Sequence, residues 1–227
     1  MAELILALDL PDGASALRLL DGLPGVRWVK VGSILMTREG PDLVDRLNQR
    51  GLSVFLDLKW HDIPNTVAGA VRAAVGAGVR MVTVHTLGGV EMMEAAAAAA
   101  GAAVTVVGVT VLTSHSAASY AAATGSSPAG IGAEAVRLAG LAKRAGLGGV
   151  GASALEVELV REVMGPTAAV VVPGIRRGGD PSGDQARVAA PREAIAAGAS
   201  HLVIGRPVLM AADPAAAWWE FEEETLR

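Results

Sequence analysis

The chain has 227 residues, 52% apolar and 19% charged, with a formal net charge of −4 and no cysteine. That length buries a core without covalent staples and that composition excludes a disordered chain. The missing thiols exclude a disulfide scaffold, a cysteine zinc site and a thiol nucleophile, and with 3% aromatics and an acidic balance the chain has neither the basic face nor the stacking rings of a general nucleic-acid binder.

The first apolar run, Leu4–Leu10, is cut by Asp9 and has no basic segment before it, so it reads as a strand and not as a signal peptide. Further short apolar runs follow at Trp28–Gly32, Ser53–Lys59, Met81–Thr86, Val104–Leu112, Gly149–Ser153, Ala168–Pro173 and His201–Gly205. Most are apolar throughout, as parallel strands covered on both faces should be. Amphipathic stretches separate them: Ala14–Leu23, Asp42–Arg50, Thr66–Ala77, Val90–Ala100, Ala133–Ala145, Leu155–Met164 and Arg192–Ala197, with Pro214–Leu226 at the end. Gly51, Gly78, Gly101, Gly146, Gly165 and Gly198 stand where these helices must turn back into strands.

Eight strand–helix alternations without a long polar linker predict a single (β/α)8 barrel domain over residues 1–227. A doubly wound open sheet is the rival, and the lack of a GxGxxG after the first strand weakens its dinucleotide-binding form. Ala95–Ser114 is uncharged, but its alanines, Gly101 and a following β-branched run read as helix, turn and strand rather than a membrane span. A cytoplasmic protein with no membrane contact is expected. Ser116–Gly132 is longer than an ordinary strand-to-helix connection and reads as a mobile loop with room for a helical turn.

In such a barrel the C-terminal ends of the strands face the active site. Asp9 ends the first strand, Lys30 lies in the second, and Asp57 and Lys59 end the third, two residues apart and so on one strand face. Of 19 basic residues only Lys30, Lys59 and Lys143 are lysine; a lysine kept at an apolar position in an arginine-rich chain points to a need for a titratable ammonium. Charges in an apolar barrel mouth must pair, which alternating signs permit. A structural ion-pair network is the alternative. Asp62, before Pro64, also suits a helix cap, and His61, His85 and His115 show no metal-ligand spacing. Near the end, Pro173-Gly174-Ile175-Arg176, Gly183-Asp184-Gln185 and Ile204-Gly205-Arg206-Pro207 combine glycines with arginines where barrels bind phosphate.

Taken together, Leu8-Asp9, the Lys30 strand, DLKWHDIPNT (57–66), VTVLTS (109–114), PGIR (173–176), GDQ (183–185) and VIGRP (203–207) resemble the orotidine 5′-phosphate decarboxylase family, in its order and over nearly the whole chain. The resemblance implies a homodimer with shared active sites that converts orotidine 5′-phosphate to UMP and CO₂ with no cofactor and no metal. By match, Lys30, Asp57, Lys59 and the partner subunit's Asp62 form the charged network, with Lys59 as proton donor. Asp9 would meet the ribose, Thr66 of the partner subunit would support it, and Ile63 would join them. Thr113 and Ser114 would meet the pyrimidine. Gln185, Gly205 and Arg206 would hold the phosphate, with Pro173 beside it and Arg176 closing over it. Magnesium-dependent keto-sugar phosphate enzymes of the same barrel group share the Asp-x-Lys-x-x-Asp core. The Ile-Pro-Asn-Thr continuation and the Thr113-Ser114 pair separate this chain from them.

Overall fold

A computed structural model describes residues 2–125, 130–178 and 188–226. In chain order the strands are β1 (Glu3–Ala7), β2 (Trp28–Gly32), β3 (Ser53–Trp60), β4 (Met81–His85), β5 (Thr105–Val109), β6 (Gly149–Gly151), β7 (Ala169–Val172) and β8 (His201–Ile204). All pair in parallel with their sequence neighbours, and β1 also pairs with β8, so the sheet closes: this is the (β/α)8 barrel. The helices on its outside are α1 (Gly13–Asp21), α2 (Ser33–Glu39), α3 (Pro41–Gln49), α4 (Pro64–Gly76), α5 (Val90–Ala100), α6 (Ala117–Thr124), α7 (Ile131–Arg144), α8 (Val157–Met164), α9 (Pro191–Ala196), α10 (Arg206–Leu209) and α11 (Pro214–Leu226). Among the described residues no helix is long and apolar enough to cross a membrane.

The unbroken apolar strands have a simple cause: they serve two cores. Inward residues Ile5, Ala7, Phe55, Met81, Val107, Val171 and Val203 fill the barrel, while the alternate residues, such as Leu6, Val29, Val54, Val82 and Val170, pack with the helices in one outer mantle. The six glycines expected at helix ends all have positive φ, a region costly for residues carrying a Cβ. Gly149 is glycine for another reason: a Cβ there would lie 2.4 Å from the Ala169 carbonyl oxygen, so β6 and β7 meet only without one.

Several boundaries differ from those read in the sequence. β1 ends at Ala7 and β5 at Val109; Thr110 still bonds the Gly151 carbonyl of β6, and Asp9 and residues 111–114 lie beyond the sheet at the barrel mouth. Two short helices, α2 and α10, follow directly on strands; both start at glycines without a side-chain cap, and each buries one residue, Leu35 and Val208. The reading of Ser116–Gly132 as a loop with a turn is corrected: α6 has eight residues, started by a reciprocal cap between Ser116 and Ser119.

One side chain ties the bottom of the barrel. Arg161 on α8 donates to the carbonyls of Gly165 (2.8 Å), Ala168 (2.7 Å) and Gly198 (3.0 and 2.6 Å). These belong to the turns leading into β7 and β8. Arg161→Ala should therefore cost about 2–3 kcal/mol, since three carbonyls lose charged donors at once. Urea denaturation should show it as a lower midpoint at unchanged slope.

Candidate active site

The strand ends build one continuous chain of charge. Lys30 Nζ donates to Asp9 Oδ1 at 2.9 Å and lies 3.5 Å from Asp57 Oδ2. Lys59 Nζ reaches both Asp57 oxygens, at 2.9 and 3.0 Å. The order Asp9–Lys30–Asp57–Lys59 alternates in sign, which is the condition for burying charge in an apolar barrel. Thr83 on β4 completes it by donating to Asp57 Oδ1 at 3.0 Å. Burial alone would push the Asp57 carboxyl up; the Lys30 and Lys59 ammoniums, with hydrogen bonds from Lys59 and Thr83, hold it below the usual carboxylate range.

Strict alternation does not describe how Asp57 and Lys59 meet. The β3–β4 register shifts between Leu56 and Trp60, and Lys59 has φ = 51°, the one positive φ of a non-glycine among the described residues. Its N–H bonds the Thr83 hydroxyl at 2.8 Å. A left-handed conformation costs a residue with a Cβ about 1–2 kcal/mol and persists where the surroundings impose it. The distortion presents the Lys59 side chain, 39% exposed, to the open cavity, while Lys30 and Asp57 stay buried behind it. Gly32 makes room for this array: a Cβ there would lie 3.1 Å from Lys30 Nζ and 3.2 Å from Asp9 Oδ1.

The cavity has a volume of about 340 Å³, within the range of small-molecule sites. Asp9, Lys30, Asp57 and Lys59 line one side, and Val111, Leu112, Thr113 and Ser114 line another. Pro173, Gly174 and Arg176 after β7, with Gly205 and Arg206 after β8, line the end where a phosphate was expected. The β7 loop is tied at its base: Arg176 N–H donates to the Ala189 carbonyl at 3.0 Å, and Ile175 bridges Ala189. Gln185, expected here, lies outside the described residues.

Three expected site residues are not in this cavity. Asp62 and Ile63 are exposed on the β3–α4 connection, Thr66 is exposed in the first turn of α4, and Ile63 is 67% exposed. Asp62 is not the helix cap, a position that belongs to Ile63; its carboxylate accepts the Ile63 N–H at 2.6 Å. His61 stacks on His85 with ring centroids 5.6 Å apart. Burial, then the neighbouring His61 and Lys59, pushes His85 down to about 4, so it adds no positive charge beside Lys59 at neutral pH. Among the described residues no group of three or more His, Asp or Glu side chains has the geometry to hold a metal ion.

Val111 and Leu112 line the cavity from within the VTVLTS segment without an assigned role, and Thr83 stands outside every motif singled out in the sequence. Thr83 had a visible signal, as a hydroxyl two residues from Met81 and so on the inward face of an otherwise apolar strand.

Known proteins carry the same chain plan. The family model described as Orotidine 5′-phosphate decarboxylase / HUMPS family matches residues 2–221. The orotidine 5′-phosphate decarboxylase of Halorhodospira halophila is 52% identical over 220 residues, covering 95% of this chain and 92% of the relative. That of Alkalilimnicola ehrlichii is 51% identical over 227 residues, covering 98% and 96%. The crystal structure of orotidine 5′-phosphate decarboxylase from Lactobacillus acidophilus superimposes with a TM-score of 0.86 at 34% identity, over all of both chains. With its charged strand ends, closed barrel and full-length relatives in agreement, the chain belongs to the orotidine 5′-phosphate decarboxylase / HUMPS family.

Proposed function

We propose that this chain decarboxylates orotidine 5′-phosphate to UMP and CO₂ in cytoplasmic pyrimidine nucleotide synthesis, with no metal or cofactor and with Lys59 as proton donor to C6. One barrel domain spanning residues 1–227 carries the activity. The observation that carries the reading is the Asp57 carboxylate held between two ammoniums, one of which, Lys59, opens onto the cavity. Relatives covering nearly the whole chain bear the enzyme's name.

The reaction explains the array. When the bond from C6 to the carboxylate breaks, its electron pair stays on C6 in the ring plane, where the π-system accepts it poorly. A fixed ammonium beside C6 stabilises that charge without reorganising, because its orientation is already set by Asp57. Lys59 then transfers a proton to C6 and regains one from solvent. Asp57 next to the substrate carboxylate repels it, and the repulsion falls as neutral CO₂ leaves. Asp9 meets the ribose, and Thr113 and Ser114 meet the pyrimidine. Pro173, Arg176, Gln185, Gly205 and Arg206 take the phosphate, whose binding energy orients the reacting end.

The active form in this reading is a twofold dimer. Asp62, Ile63 and Thr66 act in the partner's cavity. Their support is their position: a carboxylate, a hydroxyl and a 67% exposed isoleucine project from the mouth side instead of entering the cavity of their own chain.

Purified protein should convert orotidine 5′-phosphate to UMP, followed as absorbance loss near 285 nm. Orotidine should react far more slowly. Keto-sugar phosphates with added magnesium should give no product. Turnover of the sugar phosphates in place of the nucleotide would overturn the reading.

A further inference from the structure

Residues 111–114 lie between β5 and α6 and form a wall of the cavity. A buried polar cluster packs directly behind this wall. Tyr120 on α6 is 2% exposed and packs with Val111 and Leu138. His115, next to Ser114, stands edge-on to the Tyr120 ring at 5.9 Å, with its Nδ1 3.1 Å from Ser119 Oγ.

The phenol reaches past this apolar packing to α7. Tyr120 Oη donates to Glu134 Oε1 at 2.6 Å. Arg137 donates to the same carboxylate from Nη2 (2.7 Å to Oε1) and Nε (2.8 Å to Oε2). Glu134 is itself buried, 6% exposed, so its charge depends on these partners. The Arg137 hydrogen bond holds the Glu134 carboxyl below its usual range, while burial and Glu134 push the phenol up to about 12. Across ordinary pH the pair is therefore a neutral donor on a charged acceptor, a strong and directional bond.

We infer that Tyr120, anchored through Glu134 and Arg137, is a positioning residue that fixes the Val111–Ser114 wall against the base of the nucleotide. The inference rests on the decarboxylase reading and adds to it a specific division of labour. The brace stands behind the base side of the cavity, whereas the phosphate side is built on the ends of β7 and β8. Loosening it should weaken recognition of the base and leave recognition of the sugar phosphate alone.

The test compares UMP with ribose 5-phosphate as ligands for the full chain. Tyr120→Phe keeps the ring and removes the bond. It should raise the Kd for UMP about tenfold and lower kcat/KM for orotidine 5′-phosphate by a similar factor, because small displacements at a reacting site are costly. Ribose 5-phosphate should bind within about twofold of the wild type, since the brace does not touch its side of the cavity. Glu134→Ala should behave like Tyr120→Phe, whereas Glu134→Gln, which keeps an acceptor for Tyr120 but turns an amide N–H toward Arg137 Nε, should fall between Glu134→Ala and the wild type in UMP affinity. Equal weakening of both ligands, or no change in either, would overturn the brace. A wild-type chain that binds no UMP would instead overturn the decarboxylase reading on which it rests.

Discussion

Lys59→Ala should lose turnover of orotidine 5′-phosphate by roughly 10⁴-fold or more, because in the proposed mechanism one substitution removes both the general acid and the cation facing the developing carbanion. The loss should fall on kcat, with nucleotide binding largely kept, since the phosphate end of the cavity is built on other strands. The variant should stay folded. Asp57 retains Lys30 at 3.5 Å and the Thr83 hydroxyl at 3.0 Å, so no buried carboxylate is left alone. The left-handed backbone at position 59 adds a second readout. Lys59→Gly should be as inactive as Lys59→Ala and more stable than it by about 1 kcal/mol, because glycine adopts that φ without strain. A folded Lys59→Ala protein with near-normal turnover would refute the role given to this lysine.

Mixed dimers should show an effect of similar size in the opposite direction. Lys59→Ala and Asp62→Ala homodimers should each be inactive. In a heterodimer of the two, one active site collects both lesions and the other collects neither. Such dimers, verified by differential tagging, should regain about half of the wild-type activity per dimer, as a twofold interface around the β3–α4 connection requires. Within ten residues of one motif the side chains separate. Asp57 and Lys59 enter the cavity, whereas Asp62, Ile63 and Thr66 stand exposed outside it. No recovery in verified mixed dimers would mean that Asp62 acts within its own chain.

The barrel was legible because its causes are periodic. Strands covered on both faces read as unbroken apolar runs, and helices that must reverse end in glycine; both signals survive without knowledge of the neighbours. The charged array was legible because Asp9, Lys30, Asp57 and Lys59 have no apolar explanation at strand ends. What escaped depends on contacts between elements. The distortion at Lys59 arises where its N–H takes the Thr83 hydroxyl, and no local pattern in β3 announces it. The residues of α6 read as loop because Ser, Ala and Gly are common in loops; its start is fixed by the Ser116–Ser119 cap and its place by Tyr120 reaching Glu134 on α7. On local grounds Asp62 suits a helix cap, and only the family resemblance implies a role for it in a partner's site.

In the proposed mechanism this array of carboxylates and ammoniums performs the decarboxylation unaided. Metal-stripped protein, verified by elemental analysis and assayed with excess EDTA, tests it most directly. The expected result is one UMP and one CO₂ per orotidine 5′-phosphate consumed, at a rate unchanged by the chelator. Absence of turnover, or turnover restored only on adding a divalent cation, would contradict it.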